Sequence, residues 1–444
     1  MRTLRIGSGA GFSGDRIDPA VELAAKGSIS YLVFECLAER TIALAQKERL
    51  LYPESGYDPL LEERMEAILP LAVERHIRII SNMGAANPIA AARKTREIAE
   101  RLRLRGVRIA AITGDDVLPL IRAGNFSVAE DSRLVRCLSE KLVSANAYLG
   151  AGPIVEALAA NADIILTGRF ADPSLFLAPL VHEFGWSMND WNLLGQGTVI
   201  GHLLECAGQL TGGYFADPGY KTVPEIAHLG FPIAEVAADG TAIMTKVAGS
   251  GGAVTRATCI EQLLYEIQDP AFYPTPDVIA DFSHVAFEEI GTDYVRVFGG
   301  RGKPRPSQLK VSVGYSDGYI GEAQISYAGP GALDRAKLAR EILAGRLGKD
   351  AWDEMRFDFI GLSAILGERL SQSSHQPCEI RLRAVGRSES ARTAALIPRE
   401  VEALYTNGPA GGGGVMGSVR ETIAILSALV SRDSVTHTIQ YEVS

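Results

Sequence analysis

Residues 1–170 alternate between short apolar runs and longer segments whose apolar residues recur at helical spacing. The apolar runs are typical of strands that are buried on both faces. They are Leu4–Gly7, Tyr31–Glu35, Ile77–Ser81, Val107–Ile112, Ala145–Leu149 and Ile164–Thr167. Strand–helix alternation of this kind predicts an α/β fold with a large parallel sheet covered by helices. A doubly wound open sheet and, as the alternative, a closed barrel both satisfy the pattern.

The pattern changes after residue 292, where strands and helices no longer alternate regularly. Asp293–Phe298 and Lys310–Tyr315 read as strands, whereas Leu333–Leu347 and Ser418–Val430 read as helices. A mixture of this kind is typical of an α+β arrangement. We therefore expect an α/β core domain of residues 1–290 and a smaller C-terminal α+β domain of residues 291–444 packed on it.

Charge and cysteine usage restrict the class of partner. The 44 Lys and Arg against 53 Asp and Glu give a net charge of −9, which argues against nucleic acid or an anionic membrane as the main partner. No apolar run reaches the roughly 18 residues of a membrane span. The five cysteines are widely separated and form no C-x-x-C pair, which is typical of reduced thiols. With no signal-like segment at the N-terminus, we expect a cytoplasmic protein that binds a small molecule.

Each predicted strand is followed by small, polar or acidic residues. In open α/β sheets and in barrels alike, ligands bind beyond the carboxyl ends of the parallel strands. These segments therefore supply the expected substrate-binding residues. They are Gly9, Gly11, Ser13, Asp15, Glu35, Asn82, Asn87, Asp115 and Arg169.

Two of these segments carry side chains with more than one interpretation. Arg169 and Asp172 lie in T-G-R-F-A-D, where the arginine either clamps a substrate anion or pairs with Asp172 to fix the loop. Asp115 and Asp116 lie in T-G-D-D, where they either cap the next helix or bind a hydroxyl group or Mg²⁺. For this second pair, capping is the favoured interpretation.

His202 and Glu205 are three residues apart in a predicted helix, so they share one face of it. This spacing suits an acid–base pair or a metal site. The alternative is a structural histidine that bonds its neighbour. There is no H-E-x-x-H motif, so a zinc protease is disfavoured.

Glycine-rich segments give two further hypotheses. Gly9, Gly11 and Gly14 match the G-x-G-x-x-G fingerprint, with Glu35 at the distance of a ribose-binding acid, but the helix begins only near Asp18. NAD(P) binding is therefore disfavoured. The Gly411–Gly414 run precedes the predicted helix Ser418–Val430 and forms either an anion cradle or a flexible loop.

Several long strings resemble the acyclic terpene utilisation family, the AtuA-like proteins. The resemblance extends from about residue 5 to residue 435. The strings are GSGAGFSGDR, NMGAANP, TGDD, AYLGAGPIVEAL with ADIILTGRFADPSL, GQGTVIGHLLECAGQLTGGYFADPG, LLYEIQDPAFYPTPDVIADF and EVEALYTNGPAGGGG.

The resemblance implies a cytoplasmic catabolic enzyme of CoA-linked carboxylic acid metabolism. We expect a lyase of the hydratase type that acts on a branched or unsaturated carboxylic acid or its CoA thioester, with His202, Glu205 and Asp172 as catalytic residues and Arg169 as the anion clamp. The cofactor stays unassigned, with a divalent metal preferred to NAD(P). The alternatives are a nucleotide-dependent oxidoreductase and a non-catalytic scaffold.

The resemblance also raises the question of partners. Longer family members carry an additional C-terminal domain of the ferredoxin-like type, and this chain ends soon after GPAGGGG. If that module is needed, a small ferredoxin-fold partner subunit would supply it. We also expect a homo-oligomer.

Overall fold

The computed structural model describes residues 2–130, 133–348, 350–371 and 377–444. The chain forms two compact units: the first comprises the residues up to Gly314 together with Ile425–Ser444, and the second is Tyr315–Ala424. This division differs from the predicted 1–290 and 291–444, because strands after residue 291 and the last strand of the chain pair within the sheet of the first unit.

The strands in chain order are β1 (Thr3–Ala10), β2 (Tyr31–Phe34), β3 (Arg78–Ser81), β4 (Arg108–Thr113), β5 (Leu142–Ala147), β6 (Ile164–Thr167), β7 (Pro232–Ala237), β8 (Ala242–Lys246), β9 (Tyr273–Pro274), β10 (Ile279–Asp281), β11 (Ala286–Gly291), β12 (Tyr294–Phe298), β13 (Arg301–Lys303), β14 (Gln308–Ala328), β15 (Glu354–Ile360), β16 (Glu379–Ser388), β17 (Gly413–Ser431) and β18 (Thr438–Val443).

The helices in chain order are α1 (Asp18–Lys26), α2 (Glu39–Leu51), α3 (Leu61–Glu74), α4 (Pro88–Arg101), α5 (Leu118–Ala123), α6 (Gly152–Ala159), α7 (Asp172–Phe184), α8 (Trp191–Glu205), α9 (Arg256–Leu264), α10 (Ala332–Leu347), α11 (Gly367–Leu370), α12 (Ala391–Ala394) and α13 (Leu396–Asn407). Among the described residues, no helix combines the length and the apolar character that crossing a membrane requires.

A ten-stranded sheet organises the first unit, in the order β11-β12-β8-β7-β1-β2-β3-β6-β4-β18. Its five central strands, β1, β2, β3, β6 and β4, are parallel, and the outer strands are antiparallel. All four residues of β2 and of β6 are buried, as expected for strands covered on both faces. The predicted large, mostly parallel sheet is therefore confirmed, and the described strands form an open sheet with two edges rather than a closed barrel. The doubly wound arrangement stays a prediction.

Helices α1, α3 and α4 pack against this sheet. Leu61, Met65 and Ile68 of α3 join Leu32 and Ile79 of the sheet in one continuous apolar core. This core fixes the strands, and with them the segments that follow their carboxyl ends.

Two sequence predictions about strands are wrong. The run Ala145–Leu149 was expected in the parallel sheet, but β5 pairs with β14 instead. The segment Ser418–Val430 was expected to be a helix, but it lies in β17, beside β14. Its valines, threonine and isoleucines favour a strand once a neighbouring strand is available. The Gly411–Gly414 run therefore leads into a strand, and its interpretation as an anion cradle at a helix N-terminus loses its basis.

The second unit has the element order of a split βαβ fold. Strand β14 is followed by α10, β15, β16, α13 and β17, and the sheet order is β15-β16-β14-β17. Apolar residues of α10 and α13 bury one face of the sheet, with Leu343 and Val401 packed on Ile325 and Leu382. The same βαββαβ order occurs in ferredoxin-like modules.

Candidate functional site

Buried polar groups follow the central strands at their carboxyl ends. Glu35 comes directly after β2 and Asn82 directly after β3, and both side chains are buried. The Asn82 side-chain amide donates to Glu35 Oε1 at 2.8 Å, and its oxygen accepts from the Cys36 N–H at 2.7 Å. Because parallel strands present their carboxyl ends at one edge of the sheet, two distant segments of the chain meet here as predicted.

Glu35 is a carboxyl group in an unfavourable environment for charge. Oε1 also accepts from the Leu37 N–H at 2.9 Å. Burial, together with the nearby Asp172 carboxylate, raises the pKa of Glu35 to about 8, although Arg169 opposes the shift. A carboxyl group with this pKa can hold or release a proton near neutral pH.

Arg169 connects the segments that follow β2 and β6. Its side chain is only 2% exposed, and it donates to both Asp172 oxygens, at 2.8 and 3.4 Å, and to the Leu37 carbonyl. The guanidinium lies 4.3 Å from the centroid of the Tyr148 ring. The loop-fixing interpretation of Arg169 and Asp172 thus describes their contacts in this structure, while the substrate-clamp role stays a prediction.

Asp115 supports Arg169 from the end of β4. Its Oδ2 accepts from the Arg169 N–H and from the Asn146 side chain, each at 2.9 Å. Burial raises the pKa of Asp115 to about 6. The N-cap residue of α5 is Val117, so neither carboxylate occupies the capping position, although Asp116 Oδ1 accepts from the Leu118 N–H at 3.2 Å.

His202 and Glu205 make the contact that their spacing predicts. His202 Nδ1 lies 2.7 Å from Glu205 Oε1, and His202 Nε2 lies 3.2 Å from the Leu263 carbonyl oxygen. The imidazole is 2% exposed and packs against the rings of Tyr273 and Phe282. Both imidazole nitrogens are thus engaged, while Glu205 Oε2 is buried and has no partner among the described residues.

The two groups shift each other's acidity. Burial raises the pKa of Glu205 to about 7 even though His202 opposes the shift. Burial alone would lower the pKa of His202, but the Glu205 carboxylate and the hydrogen bonds of the ring hold it above its usual value. The pair therefore shares a proton under conditions close to neutral pH.

Close contacts between backbone segments place His202 and Glu205 near the carboxyl ends of the strands. A Cβ atom on Gly201 of α8 would lie 2.5 Å from the Pro173 carbonyl oxygen, directly after Asp172 on α7. A Cβ atom on Gly11 would lie 2.6 Å from the Cys206 carbonyl carbon. Only glycine permits these contacts, which place the C-terminal end of α8 beside the segments after β1 and β6.

Electrostatic interactions among the carboxyl groups also connect the ends of the strands with the C-terminal end of α8. The Asp172 carboxylate raises the pKa of Glu35 and also that of Glu205. We refer to Glu35, Arg169, Asp172, His202 and Glu205 together as the strand-end site.

Several residues of this region were not expected from the sequence. Cys206, Glu266 and Tyr273 interact electrostatically with Glu205. Cys206 is adjacent to Glu205 in sequence and could have been noted for that reason. Tyr273 lies in a proline-rich stretch that carries no recognisable chemical pattern.

A second unexpected group surrounds Tyr148. Its hydroxyl donates to Glu39, and Lys310 lies 3.3 Å from the same Glu39 oxygen. Lys310 and Arg169 both lie close to the Tyr148 ring, at 4.9 and 4.3 Å from its centroid. Burial would raise the pKa of Glu39, but Arg169, Tyr148 and Lys310 together lower it to about 2.

The glycine-rich segment after β1 is held by contacts within the protein. Gly9 lies inside β1, with the Phe34 ring against its Cα. Asp15 Oδ2 accepts from the Gly11 N–H at 2.9 Å, and the fully buried Arg64 donates to the Ser13 carbonyl at 2.7 Å. These contacts hold the segment in place, and the substrate-binding roles of Gly9, Gly11, Ser13 and Asp15 stay predictions.

Asn87 is the remaining predicted binding residue. Its side-chain oxygen accepts from the Ala90 N–H and caps α4, and its amide donates to the carbonyls of Pro53 and Ser55 at 2.9 Å each. These contacts give Asn87 a structural role at the helix N-terminus, and its contact with a substrate stays a prediction.

A large open groove lies on the other side of α9 from His202. It has a volume of about 1170 Å³. Its lining includes Phe215, Tyr220, Lys221, Arg256 and Tyr265, and none of the predicted site residues. The inner side of the same helix contacts the strand-end site, because Gln262 donates to the His202 carbonyl at 3.0 Å.

The described part of the chain contains no evident metal-binding site. Within it, no group of three or more His, Cys, Asp or Glu side chains is arranged to hold a metal ion. The divalent-metal alternative stays a prediction.

Comparison with known proteins gives a single result. No curated protein and no solved structure matched the chain. The model of one family, described as acyclic terpene utilisation family protein AtuA, matches residues 4–441, nearly the whole chain. The resemblance expected from the sequence strings is thereby confirmed, and the chain belongs to the acyclic terpene utilisation family.

Proposed function

We propose that this protein is a lyase of the hydratase type that acts on a branched or unsaturated carboxylic acid, free or as its CoA thioester. The observation that carries the proposal is the Glu205 carboxyl group. One of its oxygens is fixed by His202, the other has no partner among the described residues, and burial raises its pKa to about 7. A carboxyl group of this kind is suited to moving a proton to and from carbon.

The chemistry requires two proton transfers. In the dehydration direction, a base removes the proton from the carbon α to the carbonyl, and the electron pair forms the C=C bond. The C–O bond at the β carbon then breaks, and the leaving oxygen takes a proton from an acid, so that water is released. Hydration is the reverse of these steps.

The geometry supports an assignment of roles. Glu205 accepts the α proton at Oε2, and His202, whose second nitrogen is engaged by Leu263, orients the carboxyl group and shares its proton. Glu35, whose pKa is raised to about 8, supplies the proton to the leaving oxygen. Arg169 holds Asp172 in place, and Asp172 raises the pKa of both other carboxyl groups.

The experiment is a turnover assay on a panel of α,β-unsaturated and β-hydroxy acids and their CoA thioesters. Formation and loss of the conjugated double bond are followed by absorbance, and the products by NMR. For an acid that reacts, Glu205→Gln is expected to lower kcat by about 10²–10⁴-fold, which is the usual contribution of general acid–base catalysis.

The matched control is Glu97→Gln, because Glu97 is an exposed residue of α4. Its kcat is expected to equal that of the unmodified protein. Absence of turnover with every panel member, or undiminished turnover in Glu205→Gln, would contradict the proposal.

A further inference from the structure

Tyr273 presents a fixed aromatic ring to the strand-end site. It lies in the short strand β9, where it pairs with Ala280 of β10. Its ring centroid lies 5.1 Å from that of Phe282 and 5.6 Å from that of His202. Packing on two rings determines where the phenol hydroxyl points, so its position does not depend on a hydrogen bond of its own.

The Glu205, Asp172 and Glu266 carboxylates and the Cys206 thiol interact electrostatically with the Tyr273 phenol. Burial and these four groups raise the pKa of Tyr273, so the phenol stays protonated and can act as a donor.

Most of the groups around this hydroxyl are acceptors when they are ionised. A substrate carbonyl is also an acceptor, and it gains negative charge when the α proton is removed. Such an oxygen requires a donor fixed in advance, because hydrogen bonds to the developing charge lower the barrier. The Arg169 guanidinium is engaged by Asp172 and by the Leu37 carbonyl, which leaves the phenol as the donor suited to this task.

We propose that Tyr273 is a catalytic residue whose hydroxyl donates a hydrogen bond to the carbonyl oxygen of the substrate as that oxygen becomes an enolate. The proton stays on the phenol, and no covalent bond to Tyr273 forms or breaks. The inference rests on the proposed function and adds to it the group that binds the reacting carbonyl.

The variant for the test is Tyr273→Phe, because it keeps the ring contacts with His202 and Phe282 and removes only the hydroxyl. With the acid that the panel identifies, exchange of the α hydrogen with solvent deuterium is followed by NMR. We expect kcat to fall by about 10²–10³-fold, the usual cost of losing one oxyanion donor, with KM and the unfolding temperature unchanged. The control is Tyr294→Phe, since Tyr294 is an exposed residue of β12.

A binding measurement separates this inference from the proposed function. The probe is the nitronate of 3-nitropropionate, a stable analogue of an enolised carboxylic acid, and binding is measured by calorimetry. We expect Tyr273→Phe to bind it at least about tenfold more weakly than the unmodified protein, as one lost hydrogen bond to a charged group implies. Equal binding to both proteins, no binding to either, or undiminished exchange in Tyr273→Phe would overturn the role of Tyr273. Lack of turnover on the whole panel would instead overturn the proposed function.

Discussion

The strand-end site and the outer sheet face of the second unit both concentrate charged residues. The pKa of Glu322 on the outer face is lowered, whereas the pKa values of Glu35 and Glu205 in the site are raised. On that outer face Arg383 donates to Glu322 at 2.8 and 3.1 Å and to Asp358 at 2.8 Å. Arg356 bonds the same Asp358 at 2.5 Å. We call Glu322, Arg356, Asp358 and Arg383 the ion-pair ladder.

In the ladder, Glu322 and Arg383 stabilise each other's charged forms. The hydrogen bond from Arg383 lowers the pKa of Glu322, and the Glu322 carboxylate raises that of Arg383. In the strand-end site, burial raises the pKa values of Glu35 and Glu205. Ionisation of Glu322 and Arg383 therefore stabilises the folded protein, whereas ionisation of Glu35 and Glu205 destabilises it. Groups held against their preferred protonation state in this way are typical of functional sites.

The largest expected difference between the two regions concerns their arginines. Arg169→Met removes a cation that is 2% exposed and leaves the Asp172 carboxylate, which is 31% exposed, without this partner. We expect a loss of about 3–5 kcal/mol in the free energy of unfolding. Arg383→Met removes a cation whose side chain is 28% exposed, and the buried Asp358 keeps Arg356 as its partner, so we expect a loss of about 1 kcal/mol or less. Urea unfolding of both variants measures the difference, and equal losses would remove the contrast.

A smaller effect is expected from Glu35→Gln, and it depends on pH. In the unfolded chain Glu35 loses its proton near its ordinary pKa, but in the folded protein it keeps the proton up to about pH 8. The unfolded state therefore binds fewer protons between these two values, so this group makes stability fall as pH rises. The variant removes that slope and should be more stable than the unmodified protein at pH 8, by a margin on the order of a few kcal/mol.

Unfolding curves at pH 5 and pH 8 provide the measurement. Glu39→Gln is the matched control from the same segment. The pKa of Glu39 is lowered to about 2, so its pKa shift is opposite in direction to that of Glu35. Glu39→Gln should be less stable than the unmodified protein at pH 8. A parallel pH dependence in Glu35→Gln and the unmodified protein would show that Glu35 is not held protonated.

The smallest expected effect is that of Glu322→Gln in the ladder. The lowered pKa of Glu322 means that its contribution is present above its ordinary value and is lost as pH falls through the folded value. We expect a loss of about 0.5–1 kcal/mol at pH 7, which high salt reduces. Urea unfolding at low and high salt tests this, and a loss that salt leaves unchanged would contradict a contribution from the partly exposed pair of Glu322 and Arg383.

The sequence predicted the central sheet well, because strands such as β2 and β6 are apolar throughout and need no knowledge of their neighbours. It identified β5 as a strand but placed it in the wrong sheet, and it took part of β17 for a helix, because both strands pair with β14. A segment with apolar residues at several spacings is compatible with a helix or a strand until a partner decides.

In the site, too, contacts within one element could be predicted from the sequence, whereas contacts between distant segments could not. The contact between His202 and Glu205 follows from their separation by three residues within one helix, and the spacing revealed it. The contacts of Tyr273 and Lys310 depend on segments far away in the sequence, and nothing local marks these residues. For Arg169 the sequence left open an anion clamp or a pair with Asp172, and its contact with the Leu37 carbonyl could be known only from the folded chain.

The strand at one edge of the large sheet, β18, is made after every other strand of that sheet. Thr438–Val443 pairs with Arg108–Thr113. At ribosomal rates, the earlier strand waits ~20–60 s before this neighbour has been synthesised. During that interval its free N–H and C=O groups are a template for pairing with another nascent chain. Premature termination anywhere before residue 438 would make that exposure permanent, so truncated products of this gene should be aggregation-prone even when the rest of their sheet has formed.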